Sequence, residues 1–159
     1  MRLPVQIRQI LFATDFSRYS DRARDYALTL ARKHRAHVYV IHALEVLYYM
    51  NERDPELREW FKTIERAMER KMADEVAFFQ SHGVSATGEI IIGTPWKVIL
   101  RFAEEAGVDL IVIGSHGIGT EEGRILLGTT SHKVALASKI PVLIVRPETT
   151  GPTEVPELG

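Results

Sequence analysis

The chain has 159 residues, the length of one ordinary domain. Hydrophobic residues make up 45% and charged residues 26%, with 20 Lys and Arg against 21 Asp and Glu, a composition that excludes a disordered chain and argues against a general cationic grip on nucleic acid. There is no cysteine, so disulfide frameworks, zinc–thiolate sites, iron–sulfur clusters and cysteine nucleophiles are excluded.

Ile10-Leu11-Phe12-Ala13 is the first short apolar run and is followed by Thr14-Asp15-Phe16-Ser17. From about Ser20 the apolar positions fall at Ala23, Tyr26, Ala27, Leu30 and Ala31, the spacing of one helical face. Ser20 is the expected N-cap, its hydroxyl accepting from a first-turn N–H. Val38-Tyr39-Val40-Ile41 is a second strand, β-branched and aromatic. A polar connector around Asn51 to Pro55 leads into a helix expected from about Pro55 to Ser81 and stopping before Gly83. Its stripe of Leu57, Trp60, Phe61, Ile64, Met68, Met72, Val76 and Phe79 reads as a core face.

Glu89-Ile90-Ile91-Ile92 is a third strand, and Pro95 opens a third helix that Gly107 stops. Leu110-Ile111-Val112-Ile113 is a fourth strand, followed by a glycine-rich segment from Gly114 to Gly128. A short helix from about Thr129 to Ser138 precedes the fifth strand, Pro141 to Val145. The last residues, 148–159, read as a flexible tail behind a single domain over 1–147. No apolar run nears the roughly 20 residues that span a bilayer, and Met1 to Gln9 is followed by no long apolar stretch of the signal-peptide kind, so a cytoplasmic protein is expected, without membrane contact.

Strands alternating with helices call for βαβ units and an α/β fold with a parallel sheet. Near-continuous apolar strands place helices on both faces. In such sheets ligands bind beyond the carboxyl ends of the strands, where the strand order reverses. The informative residues are therefore Asp15, His42 to Leu44, Gly93 and the segment from Gly114 onward.

Glycines in that last segment let backbone approach a ligand, and the helix start behind them favours a phosphate. Thr129, Thr130 and Ser131 add hydroxyls there, and His116 could donate to a phosphate. A surface loop with a polar N-cap is the alternative. The Asp15 carboxylate can accept from ribose hydroxyls or an adenine amino group, or serve as a turn and cap residue. His34, His37 and His82 are expected in solvent near helix ends, and His42 as a packed, hydrogen-bonded histidine. Walker, dinucleotide-fingerprint, nucleophile-elbow and H-E-x-x-H signatures are all absent, and no nucleophile–base–orienter trio is readable.

Several segments together resemble the universal stress protein family of the nucleotide-binding kind. They are Ile10 to Ser17, Val40-Ile41-His42-Ala43, Ile92-Gly93-Thr94-Pro95, Ile111 to Gly117, Ile125 to Thr129 and Pro141 to Val145. The resemblance runs from Gln6 to Pro147. It implies a Rossmann-like sheet of five parallel strands in the order 3-2-1-4-5, of the adenine nucleotide alpha hydrolase kind. It further implies ATP, or ADP or AMP, with magnesium or manganese on the phosphates. Thr14 and Asp15 would meet the adenosine part and Ala43 the adenine edge. Gly114, Ser115, His116 and Gly117 would hold ribose and phosphates, with Arg124, Gly128, Thr129 and Thr130 at the phosphates. A homodimer through Val142 to Val145 is implied as well, with an unidentified protein partner downstream. Ten residues separate Gly117 from Gly128, one more than the family pattern G-x2-G-x9-G-[ST] has. A nucleotide-free interaction protein and a weak ATPase or self-phosphorylating enzyme using His116 or Thr129 are the rival functions. The S-G-G-x-D-S and H-x-G-H loops of related nucleotide enzymes are missing.

Overall fold

The computed structural model describes residues 4–45, 54–116 and 127–148. Five strands are β1 (Gln9–Ala13), β2 (His37–Leu44), β3 (Ala86–Ile92), β4 (Leu110–Gly114) and β5 (Val142–Val145). Four helices are α1 (Asp21–His34), α2 (Pro55–Ser81), α3 (Pro95–Ala106) and α4 (Thr129–Ala137). All strand pairs are parallel, and the order is β3-β2-β1-β4-β5, as the family resemblance implies.

Register and the two-residue alternation of strand side chains divide the apolar residues between two cores. Ile10 pairs with Val38, and Phe12 pairs with Val40 and Val112. These residues pack against Ala23, Ala27 and Ala31 of α1 and against Met72 and Phe79 of α2. Leu11, Ile111 and Ile113 face the other way, onto Val98, Ile99 and Ala103 of α3 and Val134 of α4. The alanines on α1 let that helix sit close to the sheet, since small side chains shorten the interaxial distance.

Three local expectations are corrected. Ser20 sits at the N-cap position of α1, but its side chain makes no cap hydrogen bond. Its hydroxyl donates to Asp15 Oδ1 at 2.9 Å instead. His37 opens β2 rather than ending a helix, and its ring lies between the hydroxyls of Ser85 and Thr87. Burial lowers its pKa from 6.5. The stripe on α2 is only partly core: Met72 and Phe79 are its buried residues, and Trp60 is 55% exposed. The reason is length. A helix of 27 residues spans about 40 Å, whereas the seven residues of β3 span about 23 Å. The extra length carries the first turns of α2 past the end of β3, and among the described residues the α2 side chains that join the core are Met72, Val76, Phe78 and Phe79, all in its second half.

The tail beyond 148 and the segment 117–126, most of the stretch between Gly117 and Gly128 that is one residue longer than the family pattern, lie outside the described residues. No helix among the described residues is long and apolar enough to cross a membrane.

Candidate functional site

β1 and β4 are neighbours in the sheet, yet the chain leaves β1 toward β2 and returns to β4 from β3. A crevice opens at their carboxyl ends, the expected place for a ligand. It holds a cavity of about 420 Å³, within the ordinary range for small-molecule sites. Its apolar walls are Ala13, Ile41 and Ile113 from the strands and Pro95 and Ile99 from α3.

One polar end is built by the turn after β1. Thr14 continues the ladder, its N–H donating to the Ile41 carbonyl at 3.0 Å. The Phe16 N–H then donates to Thr14 Oγ1 at 3.0 Å, and Phe16 takes a left-handed backbone with φ 63°. That conformation is strained for an aromatic residue. Asp15 Oδ1 accepts from the Ser17 N–H at 2.9 Å as well as from Ser20. Both the turn role and the cavity position expected for Asp15 are therefore observed, since the residue also lines the cavity.

The opposite end is the junction of β4 with α4. The Ser115 N–H donates to the Val145 carbonyl at 2.9 Å, and the Gly128 N–H donates to the Ser115 carbonyl at 2.8 Å. Ser131 Oγ donates to the Gly114 carbonyl at 2.6 Å. These bonds fasten the start of α4 beside the end of β4. The N-cap residue of α4 is Gly128, which has no side chain to offer, and among the described residues the first-turn N–H groups of α4 lie at the cavity end lined by Gly128, Thr129 and Thr130. A Cβ on Gly114 would stand 3.1 Å from the Tyr19 carbonyl oxygen, so a side chain at that strand end would press on the Tyr19 backbone.

Of the sequence candidates, Thr14, Asp15, Ala43, Gly114, His116, Gly128, Thr129 and Thr130 line the cavity. Ser115 does not: it is 0% exposed, and its Oγ lies 2.8 Å from His116 Nδ1. Gly117 and Arg124 lie outside the described residues. Gly93 follows the marginal strand β3 and is absent from the lining. Ser131, expected as a hydroxyl donor to ligand, spends its hydroxyl on Gly114 although it borders the cavity.

Sequence reasoning passed over Ser20, Pro95 and the isoleucine walls, which periodicity already explains as core. Lys97 and Lys133 lie over the Trp96 ring at 5.5 and 5.4 Å, beside the first turn of α3. Among the described residues no lysine or arginine lines the cavity itself. His42 also borders it, 9% exposed, with Nδ1 2.8 Å from the Thr14 carbonyl. Burial lowers its pKa from 6.5, opposed by the Thr14 hydrogen bond and by Asp15.

The family model described as the universal stress protein family matches residues 6–146. The chain belongs to this family. It is 36% identical over 155 residues to universal stress protein YxiE of Bacillus subtilis, which covers 87% of this chain and 98% of the relative. Among solved universal stress proteins, UspA of Lactobacillus plantarum superposes with a TM-score of 0.80 at 23% identity, covering 90% of this chain and 100% of that one. Two further family structures share the fold. One, in complex with cAMP, has a TM-score of 0.65 at 24% identity and covers 89% of this chain and 98% of that one. The other, from Archaeoglobus fulgidus in complex with dAMP, has a TM-score of 0.62 at 22% identity and covers 88% of this chain and 98% of that one.

Proposed function

We propose that this universal stress protein is an adenine-nucleotide binding module, with ATP as the leading ligand, seated between the Asp15 turn and the start of α4. The carrying observation is that one cavity joins an apolar slot, a carboxylate and a helix N-terminus whose cap residue is a glycine. An adenine ring suits the slot, a ribose hydroxyl can donate to Asp15, and phosphates suit exposed N–H groups backed by the helix dipole. Ala43 also lines the cavity, where its backbone groups would read the adenine edge, and Thr129 and Thr130 would supply hydroxyls. The family members solved with cAMP and dAMP hold ligands of the same class.

Among the described residues no group of three or more His, Asp or Glu side chains could hold a metal ion. Magnesium or manganese would arrive on the phosphates. Ser115 and His116 form a hydroxyl–imidazole pair, but a serine with 0% exposure outside the cavity lining orients the ring rather than attacks a substrate. Binding is thus the reading favoured over hydrolysis.

The test is to denature purified protein, identify any released nucleotide by mass spectrometry, and titrate the stripped protein with ATP, ADP and AMP in a calorimeter. Saturable heat with ATP is expected. No co-purified nucleotide together with no heat at millimolar ATP would overturn the reading.

A homodimer through the outer edge of β5 accompanies this proposal, because among the described residues that edge strand pairs only with β4. Light scattering on a sizing column checks it, and a monomer at every concentration would refute it.

A further inference from the structure

We propose that His42 is a positioning residue, holding the Thr14–Phe16 turn in the shape that presents Asp15 to the cavity. The inference rests on the nucleotide-binding reading above and adds to it the group that keeps the binding turn formed. His42 follows the Ala13↔Ile41 register pair, so it sits beside the first residue beyond β1. Its Nδ1 lies 2.8 Å from the Thr14 carbonyl oxygen. A carbonyl can only accept, so Nδ1 carries the hydrogen and donates it. In the neutral ring Nε2 then carries a lone pair.

The same ring packs on Phe16, centroids 4.4 Å apart and planes tilted by 36°. One side chain therefore holds both sides of Asp15: the carbonyl before it and the aromatic ring after it. Phe16 needs such support, because a left-handed aromatic residue persists only where its surroundings over-determine it. Without the brace the Phe16 backbone would relax to negative φ and turn the Asp15 carboxylate away. The charged groups that act on the imidazole are Asp15 from the turn and Lys71 from α2, pulling in opposite directions. The ring itself is nearly buried, so it is held rather than free to reorient.

Two substitutions separate the hydrogen bond from the ring. His42→Phe keeps an aromatic ring against Phe16 and removes the N–H. His42→Asn keeps a side-chain N–H and removes the ring. Calorimetric titration with ATP and AMP is run on both and on the wild type, with melting curves alongside. His42→Phe is expected to weaken binding about tenfold or more, since the Thr14 carbonyl loses its donor, and His42→Asn, which keeps a donor but takes the ring from Phe16, to weaken it only about threefold.

Nitrogen NMR of histidine-labelled, nucleotide-free protein should show the Nδ1–H tautomer for His42 near neutral pH. Unchanged affinity in His42→Phe, an Asn variant as weak as the Phe one, or an Nε2–H tautomer would each overturn the inference. If His42→Phe does not fold, His42→Asn decides, and a loss of about tenfold there overturns it. Failure of the wild type to bind any adenine nucleotide marks failure of the binding reading itself, and the positioning role falls with it.

Discussion

Asp15 Oδ1 accepts from the Ser17 N–H and the Ser20 hydroxyl, and the same carboxylate lines the cavity. Asparagine at this position retains an acceptor oxygen but not the charge. Asp15→Asn should therefore leave stability nearly unchanged and weaken nucleotide binding about threefold to tenfold. Asp15→Ala removes the acceptor as well and should cost about 1 kcal/mol or more in denaturant unfolding. Equal stability of the two variants would show that the turn does not depend on Oδ1. Ser131 offers a second contrast. Its hydroxyl is buried on the Gly114 carbonyl, so Ser131→Ala leaves a buried acceptor unmatched. A loss of about 1–3 kcal/mol in urea unfolding is expected, and a loss within error would mean that α4 is held by the Gly128 N–H alone. The two residues also mark what a sequence can reveal. Thr14, Asp15, Gly114 and Gly128 stand out because polar and glycine residues at strand ends have few other uses. Where a serine hydroxyl points is a rotamer choice made in three dimensions, and neither Ser20 nor Ser131 advertises it.

Among the elements, α2 was the most legible in its bounds and the least in its burial. Pro55 at the first turn and the Asp54 side chain accepting from the Glu56 N–H fix its start. Gly83, with φ 78°, and the His82 cap fix its end. Periodicity shows which face is apolar, but not how far the opposing sheet extends, so Trp60 was expected inside. His37 lies in a strand rather than at a helix end for a related reason: strand bounds depend on partner strands, and β2 reaches back to pair with β1 at Gln9. Packing of α2 on β3 turns on Gly88. A Cβ there would lie 2.5 Å from Met72 Sδ and 2.7 Å from Val76 Cγ2. Gly88→Val should force these two side chains aside and destabilise the protein by about 1–3 kcal/mol. Hydrogen exchange should then quicken in the second half of α2 before it does so in α3. Unchanged unfolding would mean that Met72 swings clear without loss of packing.

For the molecule as a whole, acidification sets opposing groups against each other. Burial keeps the folded pKa values of His42 and His37 below 6.5. The unfolded chain therefore binds these protons first as pH falls. Their contribution is whole above 6.5 and is lost as pH falls through that value toward the folded ones. Glu75 acts with the opposite sign. Burial raises it above 4.5 against the pull of Arg24, which lies 3.3 Å away, so its folded form takes up a proton early and gains stability as pH falls through the raised value. Melting temperature should decline as pH falls from about 7, less steeply in His42→Asn, and at lower pH, where Glu75 takes up its proton, the decline should be steeper in Glu75→Gln than in wild type. Parallel curves for all three proteins would refute the assignment.

The overhang of α2 also has an optical consequence. The chain has two tryptophans. Trp60 stands on the overhang, in water, whereas Trp96 lies under Lys97 and Lys133 next to the cavity-lining Pro95. A neutral quencher such as acrylamide should extinguish the Trp60 emission first. The remaining fluorescence would then come from the cavity side of the molecule, and ligand occupancy could be followed in unlabelled protein by its colour and intensity.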